Sequence, residues 1–274
     1  MKNHIFKTFA KLHISSLKTR LYINNIKFKL IVLSITTVFF SCNSVDHQIN
    51  DVRSENIKIY EPYSKNKDLE KLISPYREKL KELEKVLGYS AKSLSIREGE
   101  LESTLGNLIA DILIEESNPV FYDITSKNID FCLLNFGGVR GSLNKGNITQ
   151  HDLFTIMPFN NTSTVVKLSG KKVLELLQYF NIENLAHPVS GIKVEFEEEK
   201  FNKVTIQNKK FDINKTYYVL TSNYCQEGGD RMNFFKNPLE LYSLNTNIRE
   251  VLINYISKKK VIHSNIDGRI KRIK

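Results

Sequence analysis

Over residues 68–88, DLEKLISPYREKLKELEKVLG, the apolar positions Leu69, Leu72, Ile73, Tyr76, Leu80, Leu83 and Leu87 recur at steps of three and four, with Lys and Glu between them. That period predicts an amphipathic helix over 67–87 with one apolar stripe. Pro75 within it predicts a kink or a late start. The stretch ESTLGNLIADILIEES (102–117) predicts a second helix, with Leu105, Leu108, Ile109, Ile112 and Leu113 on one face and Ser103 or Thr104 as its cap. IDFCLLN (129–135) is rich in β-formers and too short for a helix, so it predicts a buried strand. NITQHDLFTIM predicts a short helix opened by Thr149, STVVKLS a strand, and GKKVLELLQYF a helix capped by Ser169. Strands follow at GIKVEFE, KVTIQ and TYYVLTSN. A helix, NIREVLINYISKK, and a short strand, GRIKRI, close the chain. Helices and strands that mix without strict βαβ alternation predict one α+β domain over 59–274. There is no internal repeat and no low-complexity tract.

The net charge of +10 suggests a nucleic-acid partner until the charge is located. Residues 1–42 hold Lys2, Lys7, Lys11, Lys18, Arg20, Lys27 and Lys29 and no acidic residue, which leaves 33 basic against 30 acidic residues elsewhere. The excess belongs mainly to the N-terminus, so the charge does not argue for nucleic acid. The run LIVLSITTVFFSC (30–42) is apolar, short and preceded by that basic stretch, the layout of a secretory signal. Its end, FFSC, resembles a bacterial lipoprotein signal. On that reading residues 1–42 are a signal segment, Cys42 receives lipid, and the protein is tethered to a cell-envelope membrane, periplasmic or on the outer surface. An uncleaved anchor helix is the alternative. Residues 43–58 are polar and aperiodic and read as a linker. The remaining thiols, Cys132 and Cys225, have no CxxC neighbour and read as ordinary free cysteines rather than a disulfide framework or a zinc site.

The candidate chemistry lies in three short stretches. NFGGVRG (135–141) follows the strand at 129–135. Gly137 and Gly138 let backbone approach a ligand without an intervening Cβ, Arg140 offers a planar fork for phosphate or carboxylate, and Asn135 donates and accepts at once. A tight turn with a surface arginine is the plainer reading. NYCQEGGDRMNFF (223–235) also follows a strand and carries Gly228, Gly229 and Asp230, the last able to cap a helix, hold a ligand hydroxyl or pair with Arg140. MPFNNT (157–162) puts Phe159 among turn residues. Phe159 and Tyr224 could clamp a planar ring, or each could be core.

Together ESTLGNLIAD, NFGGVRG, GNITQHDLFTIMPFNNTSTVVKLSG, NYCQEGGD and YISKKKVIHSNIDGRIK resemble the C-terminal domain of the 5'-nucleotidase/UDP-sugar hydrolase family, in order over about residues 60–274. The resemblance implies a single domain of mixed sheet with helices that binds the substrate nucleotide. Phe159 and Tyr224 stand where two aromatics sandwich the base, with Tyr in place of the more usual Phe at 224. Asn135 and Arg140 stand where an Asn and an Arg contact the base and the phosphate end, and Asp230 where an Asp holds the ribose hydroxyls. Gly137, Gly138, Gly228 and Gly229 would let backbone and Arg140 approach the nucleotide. The family's further phosphate-binding Arg just before the ESTLGN helix has no counterpart in register; Glu100 and Leu101 stand there, with Arg97 nearest.

Family members also carry an N-terminal metallophosphatase domain that holds two metal ions with Asp, His and Asn ligands. This sequence has neither Asp-x-His near its start nor Gly-Asn-His-Glu/Asp, and His47, His151, His187 and His263 are scattered. A two-metal hydrolase needs clustered ligands to generate hydroxide, and no spacing links a nucleophile to a base. The expectation is a substrate-binding half with no catalytic residue, metal ligand or cofactor of its own, serving nucleotide catabolism. Its divalent metals would come from a separately encoded metallophosphatase-domain protein. A non-catalytic nucleotide-binding envelope lipoprotein and a structural protein on a retired fold are the competing readings; nucleotide binding separates these two. The lipoprotein reading has its own test. Cys42→Ser should yield a soluble or unprocessed form, since firm anchoring needs more than one acyl chain or a second signal. A variant that fractionates and migrates like the wild type contradicts lipidation.

Overall fold

A computed structural model gives the protein's structure and describes residue 29, residues 53–56 and residues 66–273 apart from 199. Contacts divide the chain at Ser64, and every element below belongs to the unit Lys65–Lys274. The apolar run at 30–42, Cys42 and the linker's end at 58 lie outside the described residues. Among the described residues no helix is long and apolar enough to cross a membrane.

Within this unit the first helix, α1 (Lys67–Leu83), starts under an Asn66 cap and runs through Pro75, so the proline does not delay its start. It ends four residues short of the expected 87, because Val86–Ser90 pairs into a strand, β1, that takes Leu87 into the core. The apolar stripe is otherwise unburied: Leu72 is 64% and Tyr76 65% exposed. After the short β2 (Leu94–Ser95), α2 spans Thr104–Thr125 with Ser103 as its cap, the Ser103 side chain accepting from the Gly106 N–H. It continues past the expected end and past Pro119. Phe121 explains this: it is fully buried, with ring centroids 5.2 Å from Tyr218 and 5.3 Å from Tyr242. The strand expected over 129–135 is β3 (Phe131–Leu133).

Then come β4 (Ser142–Leu143), β5 (Gly146–Thr149), α3 (Gln150–Ile156), β6 (Thr162–Ser169) and α4 (Gly170–Glu183). Thr149 and Ser169 cap α3 and α4 as expected, Thr149 through a capping box with Asp152. The remainder is β7 (Val189–Ser190), β8 (Ile192–Glu197), β9 (Lys200–Ile206), β10 (Lys209–Lys210), β11 (Thr216–Ser222), α5 (Asn223–Gln226), β12 (Glu240–Asn247), α6 (Ile248–Lys259), β13 (Val261–Ile262) and β14 (Ile270–Ile273).

A mixed five-stranded sheet, in the order β12-β6-β11-β3-β7, organises the fold. Its strands alternate between two cores, as the two-residue period requires. Cys132, Val165 and Leu220 face a core built with α2 and α6, while Phe131, Val166 and Val219 face another shared with α4 and β8. Around β3, β6 and β11 both faces are therefore dry, and their apolar runs follow from that, while the edge strand β12 leaves Leu241 exposed. The sheets β10-β9-β8-β14, β13-β1-β5 and β2-β4 surround it.

One buried arginine ties the C-terminal strand to the rest. Arg269, 8% exposed, donates to both oxygens of Asp111 (2.8 and 3.1 Å) on α2, to both of Asp267 (3.0 and 2.8 Å) and to the Val189 carbonyl (2.7 Å). The two carboxylates are about half exposed. Removing the arginine therefore costs less than the roughly 3–5 kcal/mol of a wholly buried pair. We expect Arg269→Met to lose about 2–3 kcal/mol in urea unfolding. Arg269→Lys should recover less than half, because an ammonium cannot form both forks. An unchanged midpoint for Arg269→Met contradicts this assignment.

Candidate functional site

β3 and β11 run parallel, with Phe131 opposite Val219 and Cys132 opposite Leu220. Both leave the sheet at the same end. β6 runs antiparallel to β11, with Ser163 opposite Ser222, so β6 begins at that end too. The segments after β3, after β11 and before β6 therefore converge. They enclose a cleft of about 160 Å³ lined by Asn135, Gly137, Gly138, Arg140, Phe159, Asn161, Tyr224 and Asp230. Seven of these are residues singled out in the sequence. Gly228 and Gly229 form the turn that delivers Asp230, and Asn161 is an addition whose signal was its place in the Asn-Asn pair beside Phe159.

Polar contacts tie the first two segments together. Asn135, 5% exposed, donates through Nδ2 to Asp230 Oδ2 (2.7 Å) and accepts from the Cys225 thiol (3.3 Å). The Tyr224 hydroxyl donates to Asp230 Oδ1 (2.9 Å). Of the partners considered for Asp230, neither Arg140 nor a helix end is the one found. The Asp230–Tyr224 bond is the main cause that holds the phenol pKa above its ordinary value, so it stays a donor. The paired glycines make room for these side chains as well as for any ligand. A Cβ at 138 would come 2.7 Å from Asn135 Oδ1, and one at 137 would come 3.1 Å from Asp230 Oδ2. At Gly229 a Cβ would lie 2.3 Å from the Tyr224 ring, so the ring rests directly on that backbone.

The aromatic rings are neither core nor free of the fold. Phe159 and Tyr224 are 43% and 42% exposed and line the cleft. The Arg140 guanidinium lies over the Phe159 ring at 5.4 Å, and its backbone N–H donates to the Ile156 carbonyl (2.8 Å). Arg140 has no acidic partner among the described residues, which leaves its charge available. Arg97 is exposed and is not among the residues lining the cleft.

Two supporting residues escaped the sequence reading. Arg249, 9% exposed, donates to the carbonyls of Met157 (2.9 Å) and Phe159 (3.5 Å) and lies over the Phe154 ring at 4.0 Å, fixing the loop that carries Phe159. A cation in the first turn of α6 opposes the helix dipole, and that misplacement was its signal. Tyr179 on α4 donates its hydroxyl to the Asp230 carbonyl (2.9 Å). Cys132 and Cys225 are buried free thiols whose pKa values burial raises, as expected of inert cysteines.

The metal pair implied by the resemblance does not fit these residues. Among the described residues no three His, Cys, Asp or Glu side chains gather as a metal-binding group. His151 and His263 are exposed and apart, and His187 is buried with its Nδ1 accepting from the Phe136 N–H (3.0 Å). What the cleft can do is bind and orient: stack a planar group, accept hydroxyls at Asp230 and offer a cation at Arg140.

Comparison with known proteins gives a consistent picture. A family model described as the 5'-nucleotidase C-terminal domain matches residues 85–237. An apyrase of Tabanus yao is 29% identical over 63% of this chain and 35% of its own length. The 5'-nucleotidases of Vibrio parahaemolyticus and Homo sapiens are also 29% identical, over 66% and 62% of this chain and 32% and 33% of theirs. The chain thus spans about a third of the length of these curated relatives. Among solved structures, a 5'-nucleotidase precursor of Thermus thermophilus matches at 25% identity with a TM-score of 0.65, over 75% of this chain and 43% of that one. The NAD nucleotidase of Haemophilus influenzae shares the fold at 22% identity and a TM-score of 0.59, over 76% and 41%.

His187 makes the site's foundation sensitive to acid. Because Nδ1 accepts from the Phe136 N–H, the neutral ring carries its proton on Nε2, and the ring is buried. Burial is the main cause that lowers its pKa to about 4. A base whose folded pKa lies below its unfolded value of about 6.5 contributes stability that is full above that value and is lost as pH falls toward 4. The loss should be at most about 3 kcal/mol. His187→Gln keeps an acceptor without the titration, so its stability should fall less than the wild type's between pH 6.5 and 4. Parallel pH profiles contradict this.

Proposed function

The chain belongs to the family of 5'-nucleotidase C-terminal domains, and from that premise we propose that it is a nucleotide- or nucleoside-binding domain, the substrate-binding half of a split 5'-nucleotidase. The observation that carries the reading is the cleft, where two half-exposed rings, an arginine with its charge available and a preset carboxylate converge from three segments. The base stacks between Phe159 and Tyr224, the ribose hydroxyls meet Asp230, and Arg140 takes the phosphate end. Stacking of this kind contributes roughly 1–3 kcal/mol per base.

On this reading the chain orients base and ribose, and a metallophosphatase-domain protein, separately encoded, supplies the two-metal chemistry at phosphorus. The bared apolar stripe of α1 and the surface around Arg140 are its contact faces. Lipid at Cys42 holds the protein at a cell-envelope membrane, where a partner anchored on the same surface gains effective concentration. The role belongs to nucleotide catabolism.

The test is calorimetry, since the chain has no Trp for fluorescence. Phe159→Ala and Tyr224→Ala should each cost about 1–3 kcal/mol in nucleotide binding. Arg140→Ala should weaken nucleotide more than nucleoside. In parallel, phosphate release with Mn²⁺, Zn²⁺ or Co²⁺ should appear only when a metallophosphatase-domain protein encoded nearby is added. Equal affinities for all variants rule out this cleft, and metal-dependent turnover by the purified chain alone rules out the division of labour.

A further inference from the structure

The backbone at Asp230 is set in an uncommon shape. Asp230 and Arg231 both have positive φ, +50° and +63°, and neither is glycine. Adjacent left-handed residues are unfavourable unless their surroundings fix them. Here the Tyr179 hydroxyl holds the Asp230 carbonyl, and Arg231 pairs with Glu183 at 2.8 Å. That shape directs the carboxylate into the cleft, where each oxygen already accepts one hydrogen bond: Oδ2 from Asn135 and Oδ1 from Tyr224.

A carboxylate offers about four acceptor positions, so one stays open on each oxygen. The torsion that turns a carboxylate is broad and two-fold, so a single hydrogen bond leaves it free to swing. Two donors on opposite oxygens fix it. Tyr224 can act as one of them because its ring is held independently, resting on the Gly229 backbone.

We propose that the Tyr224 hydroxyl is a specificity-determining group: by fixing Asp230 it presents one open acceptor on each oxygen, a pair matched to the vicinal hydroxyls of a ribose. The chain thereby selects ribonucleosides over sugars that lack those hydroxyls. The inference rests on the nucleotide reading of the cleft. It assigns to the phenol oxygen a role apart from stacking, which the ring performs with or without it.

Calorimetry on the full chain tests this with AMP and UMP, each beside its 2′,3′-dideoxy counterpart. Tyr224→Phe keeps the ring and removes the hydroxyl. It should weaken binding of the better ribonucleotide three- to ten-fold, and that of its dideoxy counterpart no more than two-fold. In an Asp230→Asn background the same change should add little. A general disturbance of the ring would lower both affinities equally, and that outcome, or no loss at all, overturns the proposal. Wild-type protein that binds none of the four overturns the nucleotide reading itself, and this inference with it. Thermal melts of each variant identify losses that come from unfolding.

Discussion

The parallel pairing of β3 with β11 is the constraint on which the site depends. Two neighbouring strands that run the same way must release their chains at the same sheet end, and here they release Asn135 and Tyr224. The antiparallel β6 enters at that end and brings Phe159 with it. Carboxyl ends of adjacent parallel strands are a recurrent place for ligands in open sheets, because the departing loops leave a crevice between them. The central strands can hold this geometry because both their faces are buried, one under α2 and α6 and the other under α4 and β8. A shift of one residue in register would turn every apolar side chain of β3 toward the wrong core.

On that frame the side chains of the cleft hold one another in place. Asn135, Tyr224 and Asp230 bond to one another, Arg249 holds the Phe159 loop by its carbonyls, and His187 accepts from the backbone of the Phe136–Gly138 turn. Left-handed backbone at Asp230 and Arg231 stores strain that Tyr179 and Glu183 offset. Side chains fixed in this way lose less freedom on binding, which favours affinity through preorganisation. The same economy explains the glycines: Gly137, Gly138 and Gly229 sit where a Cβ would press on Asp230, Asn135 or Tyr224.

α1 stands apart from this order. Its apolar face has the period of a buried helix, yet none of its residues is buried. Helices of this length draw most of their stability from packing an apolar face. The stripe therefore marks a surface that the described residues of the compact unit leave uncovered.

The sequence by itself determined the elements whose signals are local. Ser103, Thr149 and Ser169 cap their helices where hydroxyl residues precede apolar periodicity, and β6 and β11 follow their β-branched and aromatic runs. The loop residues of the cleft were legible because paired glycines, an aromatic among turn residues and a strand end are also local features. Tertiary structure decided the rest. It ended α1 at Leu83 because Leu87 had a better place in a strand, and it carried α2 through Pro119 because Phe121 had rings to bury against. It also chose the partners of Asp230, passing over Arg140, since residues 95 apart in sequence meet only through a strand pairing that no local pattern encodes.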